Sequence, residues 1–140
     1  MNIYLDANIL VDIYDNTRVS HQASLEAVSN LAADYNVELF TSCDIITTIY
    51  YVLSKVDKSQ ALQTIIDISD LCDVVEFSNK EIKKSCQLML DESTKYLDLE
   101  DTIQYVLAQK AQCDLILSND TKFVSTQIRL MSSQQFISQG

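Results

Sequence analysis

The chain has no proline, a single histidine (His21) and a single glycine, which is the last of its 140 residues. These absences exclude Pro/Gly-rich disordered and collagen-like chains. They also require Asn, Asp and Ser to make the turns. None of Cys43, Cys72, Cys86 and Cys113 forms a Cys-x-x-Cys pair or has a histidine beside it, which argues against a zinc site. Each cysteine sits among apolar or helical neighbours, predicting buried free thiols in a reducing compartment. Positive charge is scarce: 10 Lys and Arg face 20 Asp and Glu, a formal net charge of −10. Such a chain repels the nucleic-acid backbone at long range and is not a generic nucleic-acid coat. A nuclease stays open, because a metal can supply the local positive field. No apolar stretch approaches ~20 residues, so no membrane-spanning helix is expected. Met1-Asn2 is not a basic leader, and Asp6 interrupts the first apolar run. A soluble, cytoplasmic protein is therefore expected.

What the chain does have is 47% hydrophobic residues in strongly periodic runs. At this length one domain over 1–140 is expected, burying roughly two-thirds of its unfolded surface. Asn2 to Leu5 reads as a strand, and Asn8 to Tyr14 as a short helix. Ser20 to Tyr35 has helical spacing, and Val37 to Thr41 reads as a strand. Ser42 is a good N-cap for a helix running through Leu53. Asp57 or Ser59 starts the next, to Leu71. Asp73 to Phe77 is a third strand. Ser78-Asn79-Lys80-Glu81 has the form of a capping box for a helix through Leu90. Asp98 begins a helix to about Ala111. Leu115 to Leu117 is a fully apolar strand, Ile128 to Met131 a weaker one, and Ser132 to Ile137 a final helical turn or two. Strands alternating with helices predict an α/β fold with a parallel sheet covered on both faces. In such sheets ligands bind beyond the carboxyl ends of the strands.

Two apolar strands run into an aspartate there, at Asp6 and at Asp120. Asp101 lies in the first turn of the helix leading into the fourth strand. Each has an ordinary structural use: Asp6 as an N-cap, Asp120 in an Asx-turn, and Asp98 as the cap that places Glu100 and Asp101 where a helix dipole favours anions. Jointly they mean more. If the first and fourth strands are neighbours, the three acids converge. Two carboxylates about 5 Å apart repel by roughly 3 kcal/mol at an effective dielectric near 20. Such a group takes up protons or binds a cation. Oxygen-only ligation selects Mg²⁺ or Mn²⁺.

Leu5-Asp6-Ala7-Asn8-Ile9-Leu10-Val11-Asp12, Asp98-Leu99-Glu100-Asp101-Thr102-Ile103-Gln104-Tyr105 and Leu115-Ile116-Leu117-Ser118-Asn119-Asp120-Thr121-Lys122-Phe123 together resemble the PIN domain, in particular the small single-domain proteins of the VapC toxin type. The resemblance spans the chain in order and length. It implies an α/β/α sandwich on a central parallel sheet of four to five strands. It implies a metal-dependent endoribonuclease holding Mg²⁺ or Mn²⁺ and, for the toxin branch, an antitoxin partner and a homodimer. Asp6, Asp101 and Asp120 match the family's acids. Asn8 matches the small polar residue that helps hold the first acid, and Ser118 the hydroxyl residue that orients the site. Asp98 is a further candidate ligand or only the cap. The family usually carries a glutamate on the helix after the second strand, and that place falls on Thr48. Asp44, one turn earlier on the same face, could reach the site through a water or simply be a first-turn acid. The departure motivates a second reading, a catalytically weakened PIN domain that serves as a binding or scaffold module. A phosphatase with an aspartyl nucleophile after the first strand would want a second Asp at position 8, which is Asn.

Among other residues, Lys122 and Arg129 follow the fourth strand and are candidates to meet an RNA phosphate near Asp120. Tyr50, Tyr51 and Tyr105 could stack on unpaired bases, but Tyr51 and Tyr105 are expected in the core. Lys80, Lys83 and Lys84 are expected to form a solvated face. His21 is not offered as a base.

Overall fold

The structure, a computed structural model, describes residues 1–139. Twelve elements follow one another along the chain. In order they are β1 (Asn2–Leu5), α1 (Ala7–Tyr14), α2 (His21–Ala32), β2 (Glu38–Ser42), α3 (Cys43–Leu53) and α4 (Lys58–Leu71). Then come β3 (Asp73–Val75), α5 (Asn79–Asp91), α6 (Leu99–Lys110), β4 (Leu115–Leu117), β5 (Arg129–Met131) and α7 (Ser133–Ser138). The five strands form one parallel sheet in the order β3-β2-β1-β4-β5.

The side-chain alternation of β1 divides the core into two layers. Ile3 and Leu5 face one side with Leu115 and Leu117, packed under α1, α2, α3 and α4 through residues such as Leu10, Val28, Ile49 and Ile68. Tyr4 and Ile116 face the other, under α6 through Ile103, Leu107 and Ala108. Both faces of β1 and β4 are thus buried, which is why these strands read as unbroken apolar runs. Fully burying one such side chain stabilises the fold by roughly 1.5–3 kcal/mol.

The helix starts follow the expected chemistry. Asp57 caps α4 by accepting from the Gln60 amide at 3.0 Å, and Ser78 with Glu81 forms the capping box of α5. Ser132 and Gln135 make a second capping box, on α7. Among the described residues, the one left-handed residue outside glycine is Gln112, with φ 55°, in the turn between α6 and β4. A turn expected of Asn, Asp or Ser is made there by Gln, whose φ > 0 conformation costs about 1–2 kcal/mol. The third strand is shorter than its sequence suggests, ending at Val75, because only Phe40, Thr41 and Ser42 of β2 are available to pair with it.

Two expectations fail on burial. Tyr51 is exposed on α3, with the Lys55 ammonium 4.3 Å from its ring centroid, while Tyr105 is buried as expected. Cys43 is exposed, because it opens α3 where the helix leaves the sheet, whereas Cys72 and Cys113 are buried thiols pushed up to about 12, first by burial. Lys80, Lys83 and Lys84 lie on an exposed face of α5. Among the described residues no helix is long and apolar enough to cross a membrane.

Candidate active site

The pairing register builds the site. Leu5 pairs with Leu117, so the residues that follow them, Asp6 and Ser118, emerge side by side at the carboxyl edge of the sheet. The chain from β1 crosses to β2 on one side while β4 lies on the other. The edge between β1 and β4 is therefore a switch point, where an open parallel sheet leaves a crevice. The Asp6 amide donates to the Leu117 carbonyl at 3.0 Å, holding the two strand ends in step.

Asp6 is only 5% exposed and serves as cap and site residue at once. Its Oδ1 accepts from the Ala7 amide at 2.9 Å. Its Oδ2 accepts from the Ser118 hydroxyl at 2.7 Å and from the Asn8 amide at 3.0 Å. Ser118 Oγ accepts in turn from the Asp120 backbone amide at 3.1 Å. Asn8 Oδ1 accepts from the Asn119 amide at 2.8 Å, which fixes the turn that carries Asp120. Asp120 also makes the expected Asx-turn, accepting from the Lys122 amide at 2.9 Å. From α6, Asp98 caps the helix by accepting from the Asp101 amide at 2.9 Å. Asp98, Asp101 and Asp120 line one cavity of about 310 Å³ together with Lys95, Leu97 and Lys122.

The electrostatics show convergence. Burial, then Asp6, Asp98, Asp120 and Glu100, push the Asp101 carboxyl up to about 7. Burial raises Asp6, Asp120 adds to it, and the Ser118, Ala7 and Asn8 donors oppose it. Burial, then Asp44, Asp98 and Asp6, raise Glu100. Among the described residues none of these acids has a Lys or Arg ion pair. No three of them stand close enough together to form a finished metal cage. Their donor set, all carboxylate and hydroxyl oxygen, fits a hard divalent cation, which would relieve the repulsion that raises Asp101.

Thr48 is exposed on α3 and lines neither cavity beside Asp120. Asp44, half-buried one turn earlier, is the acid of α3 that turns toward the site. Its Oδ1 accepts from Gln104 Nε2 at 2.9 Å and from the Ser42 hydroxyl, and Gln104 Oε1 accepts from the buried Tyr4 hydroxyl. Gln104 escaped notice in the sequence because its partners lie 60 and 100 residues away. A buried-face polar residue on an apolar helix was the one available signal. Arg129 is not near Asp120: it pairs with Leu115 at the start of its strand, the opposite end of the parallel sheet from the acids. His21 donates from Nδ1 to the Asp12 carbonyl at 2.7 Å, a structural role.

The PIN domain family profile matches residues 3–128. The chain is 43% identical over 134 residues to ribonuclease VapC1 of Aquifex aeolicus, covering 96% of this chain and 92% of that protein. Among solved structures it is similar to VapBC2 of Rickettsia felis bound to a promoter DNA fragment, at TM-score 0.74 and 19% identity, covering 94% of this chain and 98% of that one. It is also similar to the sarcin-ricin loop cleaving toxin VapC20 of Mycobacterium tuberculosis, at TM-score 0.71 and 10% identity, covering 86% and 92%. With acids delivered from β1, α6 and the β4 turn to one edge of a five-stranded parallel sheet, and with a profile match over most of its length, the chain belongs to the PIN domain family.

Proposed function

We propose that the chain is a divalent-metal-dependent endoribonuclease, the toxin of a toxin–antitoxin pair. The observation that supports this reading is that Asp101 and Asp120 line one cavity at the sheet edge where Asp6 emerges, with no cationic partner for any of the three among the described residues. The 43% identical relative named ribonuclease VapC1 supports the activity. Asp6, Asp101 and Asp120 would hold Mg²⁺ or Mn²⁺, with Asp98 as a further ligand. A bound ion of this kind acidifies water and neutralises charge developing on phosphoryl oxygens.

The chain's own residues do the rest. Ser118 and Asn8 hold the Asp6 carboxylate in one rotamer. The Asn119 amide, tied to Asn8, keeps Asp120 beside it. Asp101 would stay deprotonated as a ligand, and the attacking water gives up its proton to bulk water. As that water's oxygen bonds to phosphorus, the opposite P–O bond breaks and the departing oxygen takes a proton from bulk water. The product is a cleaved phosphodiester.

The partners belong to the same reading. Similar solved structures include a VapBC complex of Haemophilus influenzae and a toxin–antitoxin complex of Klebsiella pneumoniae, which supports an antitoxin partner. A homodimer acting on cytoplasmic RNA completes the proposal. The test is cleavage of single-stranded RNA by purified protein. Cleavage with Mg²⁺ or Mn²⁺ that EDTA stops is expected. Cleavage indifferent to EDTA, or unchanged in Asp101→Asn, overturns the reading. RNA binding without cleavage points instead to the weakened module.

A further inference from the structure

The turn that carries Asp120 has a cavity on each side. One, of about 310 Å³, is lined by Asp101 and Asp120 together with Lys95, Leu97, Lys122 and Val124. The other, of about 600 Å³, is lined by Asn8, Asp12 and Asp120 together with Arg18, Val19 and Asn119. Asp120 belongs to both. The furnishing of the two is alike. On one side Lys95 and Lys122 stand beside Leu97, which is 78% exposed. On the other, Arg18 stands beside Val19, which is fully exposed. In a chain with only ten Lys and Arg, three of them line the two cavities that share Asp120.

Cations placed there work against the purpose of gathering acids unless they meet an anion of their own. None is spent on the metal-site carboxylates. Arg18 Nε bonds Asp12 at 2.7 Å, and its partly exposed side chain lines the second cavity. Lys95 is 3.6 Å from Glu92, beyond hydrogen-bond reach. Among the described residues Lys122 has no ion pair. A cation can meet a nucleotide's phosphate, and an exposed aliphatic side chain beside it offers apolar contact to the base. That pairing occurs twice, once on each side of Asp120. Only an unpaired strand can present base faces to both, since a duplex keeps its bases stacked inside.

We infer that single-stranded RNA crosses the acid cluster through these two cavities, with the phosphate on one side of the scissile bond on Lys95 and Lys122, that on the other side on Arg18, and the adjoining bases against Leu97 and Val19. This rests on the ribonuclease reading and gives that site its substrate path. Lys95, Lys122 and Arg18 restore locally the attraction that the net charge of −10 withholds at long range.

The test is fluorescence anisotropy of a labelled 12-nucleotide single-stranded RNA of mixed sequence, and of its duplex, in an Asp101→Asn background with Mn²⁺. Lys95→Ala with Lys122→Ala is expected to weaken single-strand binding about tenfold or more. It should lower the slope of log Kd against log salt by about 1.4, for two phosphate contacts. Lys80→Ala with Lys83→Ala removes the same charge from α5 and should change Kd less than about twofold. Leu97→Glu and Val19→Glu, both at exposed positions that leave the fold intact, should each weaken binding about threefold or more. The path is overturned if the two lysine pairs shift Kd alike, if only one of the glutamate variants matters, or if the duplex binds as tightly as the single strand. The ribonuclease reading fails separately. If the protein with Asp101 intact cleaves no RNA while the lysine and glutamate variants still lose binding, the path stands and the activity does not.

Discussion

Two buried carboxylates, one capping α1 and one inside it, live by opposite rules. Asp12, at 2% exposure, accepts from Arg18 Nε at 2.7 Å, Ser24 Oγ at 2.9 Å and Asn119 Nδ2 at 2.8 Å. Its charge is answered by a guanidinium and two neutral donors, and it ties α1 to α2 and to the turn after β4. Asp6, at 5% exposure, accepts only from neutral donors and faces other acids. Both are aspartates, six residues apart and equally hidden, yet one is a strut and the other is a ligand in the proposed site. What separates them is the presence of one guanidinium. A buried anion with a cationic partner holds the fold together, and a buried anion without one is left waiting for a cation.

The comparison can be broken in order of effect. Asp6→Asn should reduce RNA cleavage by about a thousandfold or more, since several kcal/mol of charge stabilisation depart with the ion. It should shift unfolding in urea by less than about 1 kcal/mol, because lost repulsion offsets a lost acceptor. Asp12→Ala should do the reverse. It should destabilise by about 3–5 kcal/mol, leaving Arg18, Ser24 and Asn119 without their acceptor. Any loss of cleavage in it should follow the unfolded fraction. If Asp6→Asn unfolds the protein while Asp12→Ala leaves it intact, the distinction is wrong.

A pH series sharpens the same contrast. The folded Asp101 carboxyl sits at about 7, above its unfolded value near 4. The folded state therefore binds more protons between these values. The stability this group contributes is present below about pH 4 and lost as pH rises through about 7. Asp6 and Glu100 are shifted in the same direction. Without metal, the melting temperature should be lower at pH 8 than at pH 5.5. The gain on adding Mn²⁺ should be larger at pH 8, where protons no longer compete. Asp101→Asn should flatten both trends in a thermal-shift assay, and equal trends in the variant would rule Asp101 out as their source.

The smallest effect concerns α3. Thr48→Ala should leave cleavage within about twofold and stability within about 0.5 kcal/mol, as expected of an exposed residue. Asp44→Asn should weaken Mn²⁺ binding measured by calorimetry, since Asp44 is the neighbouring charge that raises Glu100 most. If the Thr48 substitution has the larger effect on Mn²⁺, the acid of α3 has been misplaced.

The parts of this design legible in the sequence are those carried by local pattern. The apolar run of β1 ending in Asp6, the Asp98 cap and the Ser78 capping box each announce themselves within a few residues. The proposed site of Asp6, Asp101 and Asp120 required that β1 and β4 be neighbours, and they pair in the sheet. The hidden parts depend on contacts between distant residues. Asp12 meets Asn119 across 107 positions and Asp44 meets Gln104 across 60, so no spacing betrays either. Arg129 misled because nearness to Asp120 along the chain is not nearness in space: the chain returns to the other end of the sheet before β5 begins. Tyr51 misled because an aromatic ring on a helix can also stand exposed at the surface, here with the Lys55 ammonium over its face.

The register that seats Leu5 against Leu117 has a consequence for the timing of synthesis. Asp6 is among the first residues made, while Asp101, Ser118 and Asp120 belong to the last third of the chain. The central strand must wait for β4 before its carboxylate acquires a hydroxyl partner and acidic neighbours. A nascent chain that has not yet reached β4 thus carries Asp6 without Ser118 or Asp120, and the proposed centre is unassembled. The machinery that makes this protein is kept apart from its chemistry until translation is nearly complete.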